Sequence, residues 1–205
     1  MRLLILSVLI AGTALAADAI KIPGLRIVGG EQQSVEVEAK VAHYDHILEF
    51  LACEPETRDY ESLLTVTAKP SAVKFGLLLI GCEEGETNGS PLTIEVEWQD
   101  KTKPRRGPVE DWLIDRRTGK PPGKLPFFFS GSMFVPDLFT TNKIFQADAE
   151  QAHIALWWQP SILINLRGDQ GNPYRGDDQG FQVNTNVVPP VGTPVKLILR
   201  KSAAR

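Results

Sequence analysis

The sequence predicts an α+β fold dominated by strands, with antiparallel sheet and one core helix near residues 70–81. Two patterns lead to this prediction. In several segments apolar residues recur at every second position, which is typical of strands with one buried face. Another segment carries a dense block of apolar residues between a proline and a glycine, which favours a helix. The chain has 42% hydrophobic and 23% charged residues, an ordinary composition for a globular protein that excludes a wholly disordered one.

The strands are predicted from the alternation along the chain. In residues 92–99 every second residue from Leu92 to Trp98 is apolar, and the residues between them are polar. Residues 35–41 and 195–200 alternate in a similar way. Shorter strand candidates are residues 47–52, 62–67, 112–115, 127–130 and 153–158. We therefore expect an antiparallel sheet built from segments that are spread over the whole chain.

The predicted helix begins at Pro70, which is tolerated in a first helical turn, and ends at Gly81. Its apolar residues are too dense for a surface helix, so we expect about three turns packed into the core. Residues 159–165 have the composition of one further short turn of helix.

The first sixteen residues have the pattern of a secretory signal peptide. Arg2 precedes an apolar run over residues 3–11, and residues 14–16 read Ala-Leu-Ala, a small-x-small cleavage pattern. The run is shorter than the about 20 apolar residues that a membrane-spanning helix needs. We therefore expect a signal peptide at 1–16, a tether at 17–30 and one domain at 31–205. The mature protein is expected to be periplasmic or secreted, without a transmembrane span.

Charge and cysteine content exclude several kinds of function. The formal net charge of -3 argues against a nucleic-acid partner, because nucleic-acid-binding domains usually carry a strongly basic face. The two cysteines are too few for a Cys-only iron–sulfur cluster or a four-Cys zinc site, and no cofactor motif is present. In an oxidising compartment Cys53 and Cys82 are candidates for a disulfide, and the alternative is two buried free thiols.

Carboxylates and serines are the candidate catalytic groups. Two carboxyl groups separated by roughly 5–10 Å can cleave a glycosidic bond, and Glu49, Glu61 and Asp148 are candidates for such a pair. Ser62, Ser130 and Ser132 offer hydroxyl groups, but the sequence has no Gly-x-Ser-x-Gly elbow. The alternative for all of these residues is a structural role in turns and at strand faces.

Two further features suggest binding. Residues 167–180 carry the carboxylates of Asp169, Asp177 and Asp178 on a glycine-rich backbone, which suits calcium, although the spacing is not that of an EF-hand; the alternative is a surface loop. Trp158 lies at the end of a predicted strand, where an outward ring would stack on a sugar or a partner aromatic, or lie beneath the 167–180 loop.

His43, His46 and Glu49 are spaced three residues apart. That spacing would suit a metal only on a helix, whereas the neighbouring residues predict a strand or a turn.

Several short motifs occur in a fixed order along the chain. Residues 48–53 read Leu-Glu-Phe-Leu-Ala-Cys, residues 58–63 read Arg-Asp-Tyr-Glu-Ser-Leu, and residues 129–132 read Phe-Ser-Gly-Ser. With Glu-Asp-Trp at 110–112 and Ala-Asp at 147–148, this series resembles the YdjY-type domain, an uncharacterised family of exported bacterial proteins. The resemblance implies no established activity. The positions that match the family are Glu49, Glu61, Ser62, Trp112, Ser130, Gly131, Ser132 and Asp148.

The resemblance also carries two differences. Some relatives are labelled iron–sulfur proteins, a label that the two cysteines of this chain do not support. Members of the family have His-Glu-Ser where this chain has Tyr60, Glu61 and Ser62, which weakens an enzymatic interpretation.

Three hypotheses about function follow. The first is a non-enzymatic exported domain that binds an envelope protein or polymer, with Trp112 and Trp158 as binding residues. The second is an envelope-polymer hydrolase that uses a carboxylate pair. The third is a calcium-binding module at residues 167–180.

Overall fold

The computed structural model describes residues 19–42 and 47–202. Within them the chain forms fifteen strands and two α-helices. The strands are β1 (Ile20–Ile22), β2 (Leu25–Val28), β3 (Ser34–Val41), β4 (Phe50–Cys53), β5 (Ser62–Val66), β6 (Leu92–Asp100), β7 (Lys103–Pro108), β8 (Leu113–Asp115), β9 (Phe127–Phe129), β10 (Phe134–Pro136), β11 (Lys143–Phe145), β12 (Ala152–Ala155), β13 (Ile164–Leu166), β14 (Phe181–Val183) and β15 (Pro194–Lys201). The helices are α1 (Pro70–Leu79) and α2 (Gln146–Glu150).

Eleven strands form one mixed sheet that is mostly antiparallel. Its order is β7-β6-β15-β3-β5-β4-β12-β13-β9, and the pairs β4–β5 and β12–β13 are parallel. On one side β3 pairs with β15, and on the other side its first half pairs with β2 and its second half with β5. The strands β10 and β11 form a separate hairpin, and β8 pairs with β14. The predicted strand-dominated α+β fold is confirmed.

The last strand in the sheet order, β9, lies next to the residues that precede β6. An isolated bridge joins Pro91, just before β6, to Phe128 in β9, and the amide of Phe129 donates to the carbonyl of Ser90 at 2.9 Å. The sheet therefore curls around a buried core. Phe127 and Phe129 belong to that core, whereas Phe128 points to the opposite face, as the alternation of a strand requires.

Helix α1 lies on β2 and β3. Pro70 occupies its first turn, and Gly81, two residues beyond its end, has a φ of 74° that favours glycine. Val73 and Leu77 are buried against the sheet, and a Cβ at Gly76 would lie 3.0 Å from a methyl group of Val35. The predicted helix is confirmed, but it is not enclosed by the core. Its other side is solvent-exposed and apolar, formed by Phe75, Leu78 and Leu79.

Two local predictions differ from the structure. Residues 20–22 and 25–28, predicted as part of a tether, form the β1–β2 hairpin, because Leu25 and Ile27 are buried where β2 pairs with β3. The turn of helix expected at 159–165 is a loop followed by β13, because residues 164–166 pair with β12 and β9. No described helix is long and apolar enough to cross a membrane.

Candidate functional site

A shallow apolar cleft lies outside the sheet at β9 and β13. Its volume is about 280 Å³, and its lining residues are Glu86, Thr87, Phe128, Trp158, Leu166, Arg167 and Gly168. The rings of Phe128 and Trp158 are stacked, with centroids 5.8 Å apart and planes 16° apart. The guanidinium of Arg167 lies 4.0 Å from the centroid of Phe128, a cation–π geometry. We call this the Trp158 cleft.

Arg167 closes one side of the Trp158 cleft. It donates hydrogen bonds to the carbonyl oxygens of Thr87 and Gly89, the second at 3.2 Å. These bonds fix the guanidinium over Phe128 and tie β13 to the loop before β6. The side chain of Arg167 is exposed, and among the described residues its hydrogen-bond partners are these two carbonyl oxygens.

The predicted serines hold the segment that carries Trp158. The hydroxyl of Ser130 lies 3.0 Å from the carbonyl oxygens of both Ile162 and Leu163, and the hydroxyl of Ser132 donates to Ser161 at 2.6 Å. These bonds, with the amide of Gly131 donating to Leu163 at 3.0 Å, fasten residues 161–163 to the end of β9. Both hydroxyls are therefore engaged with backbone carbonyls, which is a structural role and not that of a nucleophile activated by a base.

Asn165 completes this hydrogen-bond network. It is not among the site residues predicted from the sequence. Its side-chain amide donates to the Ser130 hydroxyl at 2.7 Å and to the Ile162 carbonyl at 3.1 Å, while its oxygen accepts from the amide of Gln159 at 2.8 Å. The signal in the sequence is one asparagine within the apolar run 162–166, since a buried amide needs several partners. Phe128 and Arg167 were also missed, because their proximity depends on sheet register.

Two of the three predicted carboxylates come together. The amide of Glu49 donates to the carbonyl of Glu61 at 3.0 Å, which places the two residues side by side. Partial burial, and next the negative charge of Glu49, raise the pKa of Glu61. Asp148 lies elsewhere, where it accepts from the amide of Ser71 at 2.8 Å in the first turn of α1.

The Glu49–Glu61 pair is covered by Tyr174 from the 167–180 loop. The hydroxyl of Tyr174 donates to the carboxylate of Glu49, and this bond raises the pKa of Tyr174 to about 12. The ring of Trp157 meets the ring of Tyr174 edge-on at 6.2 Å. The hydrogen bond from Tyr174 therefore ties the 167–180 loop to Glu49.

The three aspartates predicted to bind calcium at residues 167–180 do not converge on one point in the structure. Asp169 forms a salt bridge with Arg175 at 2.7 Å, and Asp178 interacts electrostatically with Arg117. Across residues 19–42 and 47–202 no three His, Cys, Asp or Glu side chains are placed to hold a metal ion. Asp169, Asp177 and Asp178 therefore belong to an exposed loop, and His43 and His46 lie outside the described residues.

Four other predicted residues belong to the interior. Trp112 is buried, with its ring edge-on to Trp98 at 5.1 Å, so it is a core residue and not a binding residue. Ser62 is buried and donates to the carbonyl of Leu64 at 2.9 Å. Cys53 and Cys82 are free, buried thiols in two different apolar clusters, so the structure contains no disulfide between them. Burial raises the pKa of both thiols.

Comparison with known proteins gives one match. The family model described as the YdjY domain matches residues 27–200, which is most of the chain. No curated protein and no solved structure matches this chain.

Proposed function

The chain belongs to the YdjY domain family, and we propose that it is an exported binding domain whose partner, a protein of the cell envelope, docks at the Trp158 cleft. The observation that carries this proposal is the Trp158–Phe128 stack with the exposed Arg167 at its side. Tryptophan and arginine are the side chains that most often dominate the binding energy of protein interfaces.

The size of the Trp158 cleft favours a protein partner over a polymer segment. Pockets for small molecules usually have volumes of about 300–1,000 Å³. A cleft of about 280 Å³ with an almost wholly apolar wall suits one or two apolar side chains of a partner. Polar groups that would orient a sugar are scarce there, since only Glu86, Thr87 and Arg167 contribute them.

The other predicted polar residues support binding over catalysis. Ser130 and Ser132 position the loop that carries Trp158, and the carboxylate of Glu49 accepts the hydroxyl of Tyr174. These groups are engaged in contacts that hold the structure together, which is what a rigid binding domain requires.

Photo-crosslinking tests the binding site. Thr87 on the rim is replaced by p-benzoylphenylalanine in the full chain, and the matched control carries the same group at Lys103, an exposed residue at the distant end of the sheet. We expect a discrete covalent adduct with a protein from position 87 and none from position 103. The absence of an adduct at position 87, in cells that produce the folded chain, would refute the proposal.

Export is tested by the N-terminus of the mature protein. The signal pattern at residues 1–16 leads us to expect a chain that begins at Ala17 and is recovered from the periplasm or the medium. A mature chain that begins at Met1 and stays in the cytoplasm would contradict the proposed export.

A further inference from the structure

The β10–β11 hairpin ends in a solvent-exposed apolar tip. Leu138 is 91% exposed and Phe139 is 94% exposed, the highest values among the large apolar residues of the described chain. Exposed single apolar residues are common, but two adjacent ones at the end of a separate hairpin form a projecting knob. We call Leu138 and Phe139 the hairpin tip.

The tip is held in one conformation by its own polar residues. The carboxylate of Asp137 accepts from the amide of Phe139 at 2.9 Å and from the hydroxyl of Thr140 at 2.7 Å. The amide of Asp137 donates to the carbonyl of Asn142 at 3.0 Å, and that of Asn142 donates to the Thr140 hydroxyl at 3.2 Å. These bonds fix the backbone of the turn, so that binding a partner does not have to order that backbone.

The Trp158 cleft is complementary to this tip. Its volume is about 280 Å³ and its wall is almost wholly apolar, which suits contact with the apolar side chains of the tip. The tip is flanked by the charges of Asp137 and Lys143, and the cleft is flanked by those of Arg167 and Glu86. One orientation of the tip in the cleft places Asp137 near Arg167 and Lys143 near Glu86.

We propose that the partner at the Trp158 cleft is a second copy of this chain, whose hairpin tip packs Leu138 and Phe139 against Trp158 and Arg167. This inference rests on the proposed binding function of the cleft. The near-complete exposure of the tip in one chain means that a tip does not fill the cleft of its own chain. Two copies related by a two-fold axis would exchange two such contacts, the closed arrangement that most homo-oligomers adopt.

Sedimentation velocity of the full, processed chain, from low micromolar to near-millimolar concentration, measures the proposed association. We expect a concentration-dependent dimer whose dissociation constant rises at least about tenfold in Phe139→Ser and in Trp158→Ser. Leu79→Ser is the matched control, because it removes an exposed apolar side chain from α1 and is expected to leave the dimer intact.

Exchanging the charges of Lys143 and Glu86 distinguishes a variant that loses the dimer contact from a variant that fails to fold. Lys143→Glu and Glu86→Lys each bring like charges together and are expected to weaken the dimer, whereas the double variant restores the attraction and the association. Double and single variants with the same dissociation constant would contradict the proposed orientation.

Three outcomes would overturn the inference. A wild-type chain that stays monomeric over the whole concentration range would refute it. A monomer that binds phosphatidylcholine–phosphatidylglycerol vesicles through Phe139 would replace the second copy by a lipid surface. An adduct from position 87 whose mass is not twice that of the chain would refute self-association and leave the proposed partner binding standing.

Discussion

His153 is expected to make the stability of this protein depend on pH. Its ring is buried, and Nε2 lies 2.6 Å from the carbonyl oxygen of Ala68, which identifies Nε2–H as the donor in the neutral ring. Nδ1 has no hydrogen-bond partner among the described residues, so a proton there would be buried without compensation. Burial lowers the pKa of His153 from 6.5 to about 4.

The size of the effect follows from proton linkage. Below pH 6.5 the unfolded chain gains a proton at His153, whereas the folded chain does not gain it until about pH 4. The unfolded state binds more protons in this window, so the free energy of unfolding falls as the pH falls. Between pH 7.5 and pH 5 the loss from this one group is on the order of 2 kcal/mol.

The assay is urea unfolding of the wild type and of His153→Gln at pH 7.5 and pH 5. The glutamine amide can still donate to the Ala68 carbonyl but does not titrate, so the variant should lose about 2 kcal/mol less than the wild type over this range. Ser62→Ala is the control, since it truncates a buried polar side chain without removing a titrating one. Equal pH dependence in wild type and His153→Gln would refute the reasoning, because the other titrating groups are common to both proteins.

Three further predictions concern named contacts. Asn165→Ala should lower the free energy of unfolding by about 2–3 kcal/mol in urea titrations, because it removes three hydrogen bonds and leaves the amide of Gln159 without its acceptor; an unchanged midpoint would contradict the network. Tyr174→Phe should abolish the tyrosinate absorbance that rises near pH 12, and a late component that persists would show that Glu49 does not hold this hydroxyl. Leu77→Ala should cost about 3 kcal/mol of stability by denaturant unfolding and the exposed Leu79→Ala less than about 1 kcal/mol, so equal costs would contradict the orientation of α1.

The strands and the long helix were predictable because their signals are local. Alternation over residues 92–99 reports which face of β6 is buried, and Pro70 and Gly81 mark the two ends of α1 in any context. The β1–β2 hairpin was missed because short strands flanked by glycine and proline resemble a linker until β3 is present to pair with them. The high density of apolar residues in 70–81 predicted a helix buried on all sides. In the structure one apolar side of α1 is exposed to solvent.

The candidate site was predictable only in fragments. Trp158 was identified by its type and position, whereas Phe128 and Arg167 reach it through the pairing of β9 with β13 and a contact to the loop at residue 87. Such neighbours are set by strand register, which a single sequence does not reveal. Trp112 was predicted as a binding residue only because it is a tryptophan. An indole ring packs in a core as readily as it binds a ligand, and the ring of Trp112 packs against Trp98.

The strand β7 has a consequence for aggregation. It lies at the end of the sheet order with one side unpaired, and its six residues read Lys-Pro-Arg-Arg-Gly-Pro, nearly all exposed. Two prolines cannot donate to an added strand, and the exposed charged side chains of Lys103, Arg105 and Arg106 disfavour the pairing of an added strand. At the other end of the sheet order, the free side of β9 is bridged at Phe128 to Pro91, just before β6. The sheet thus presents its longest free edge in a form that resists the edge-to-edge stacking that leads to fibrils.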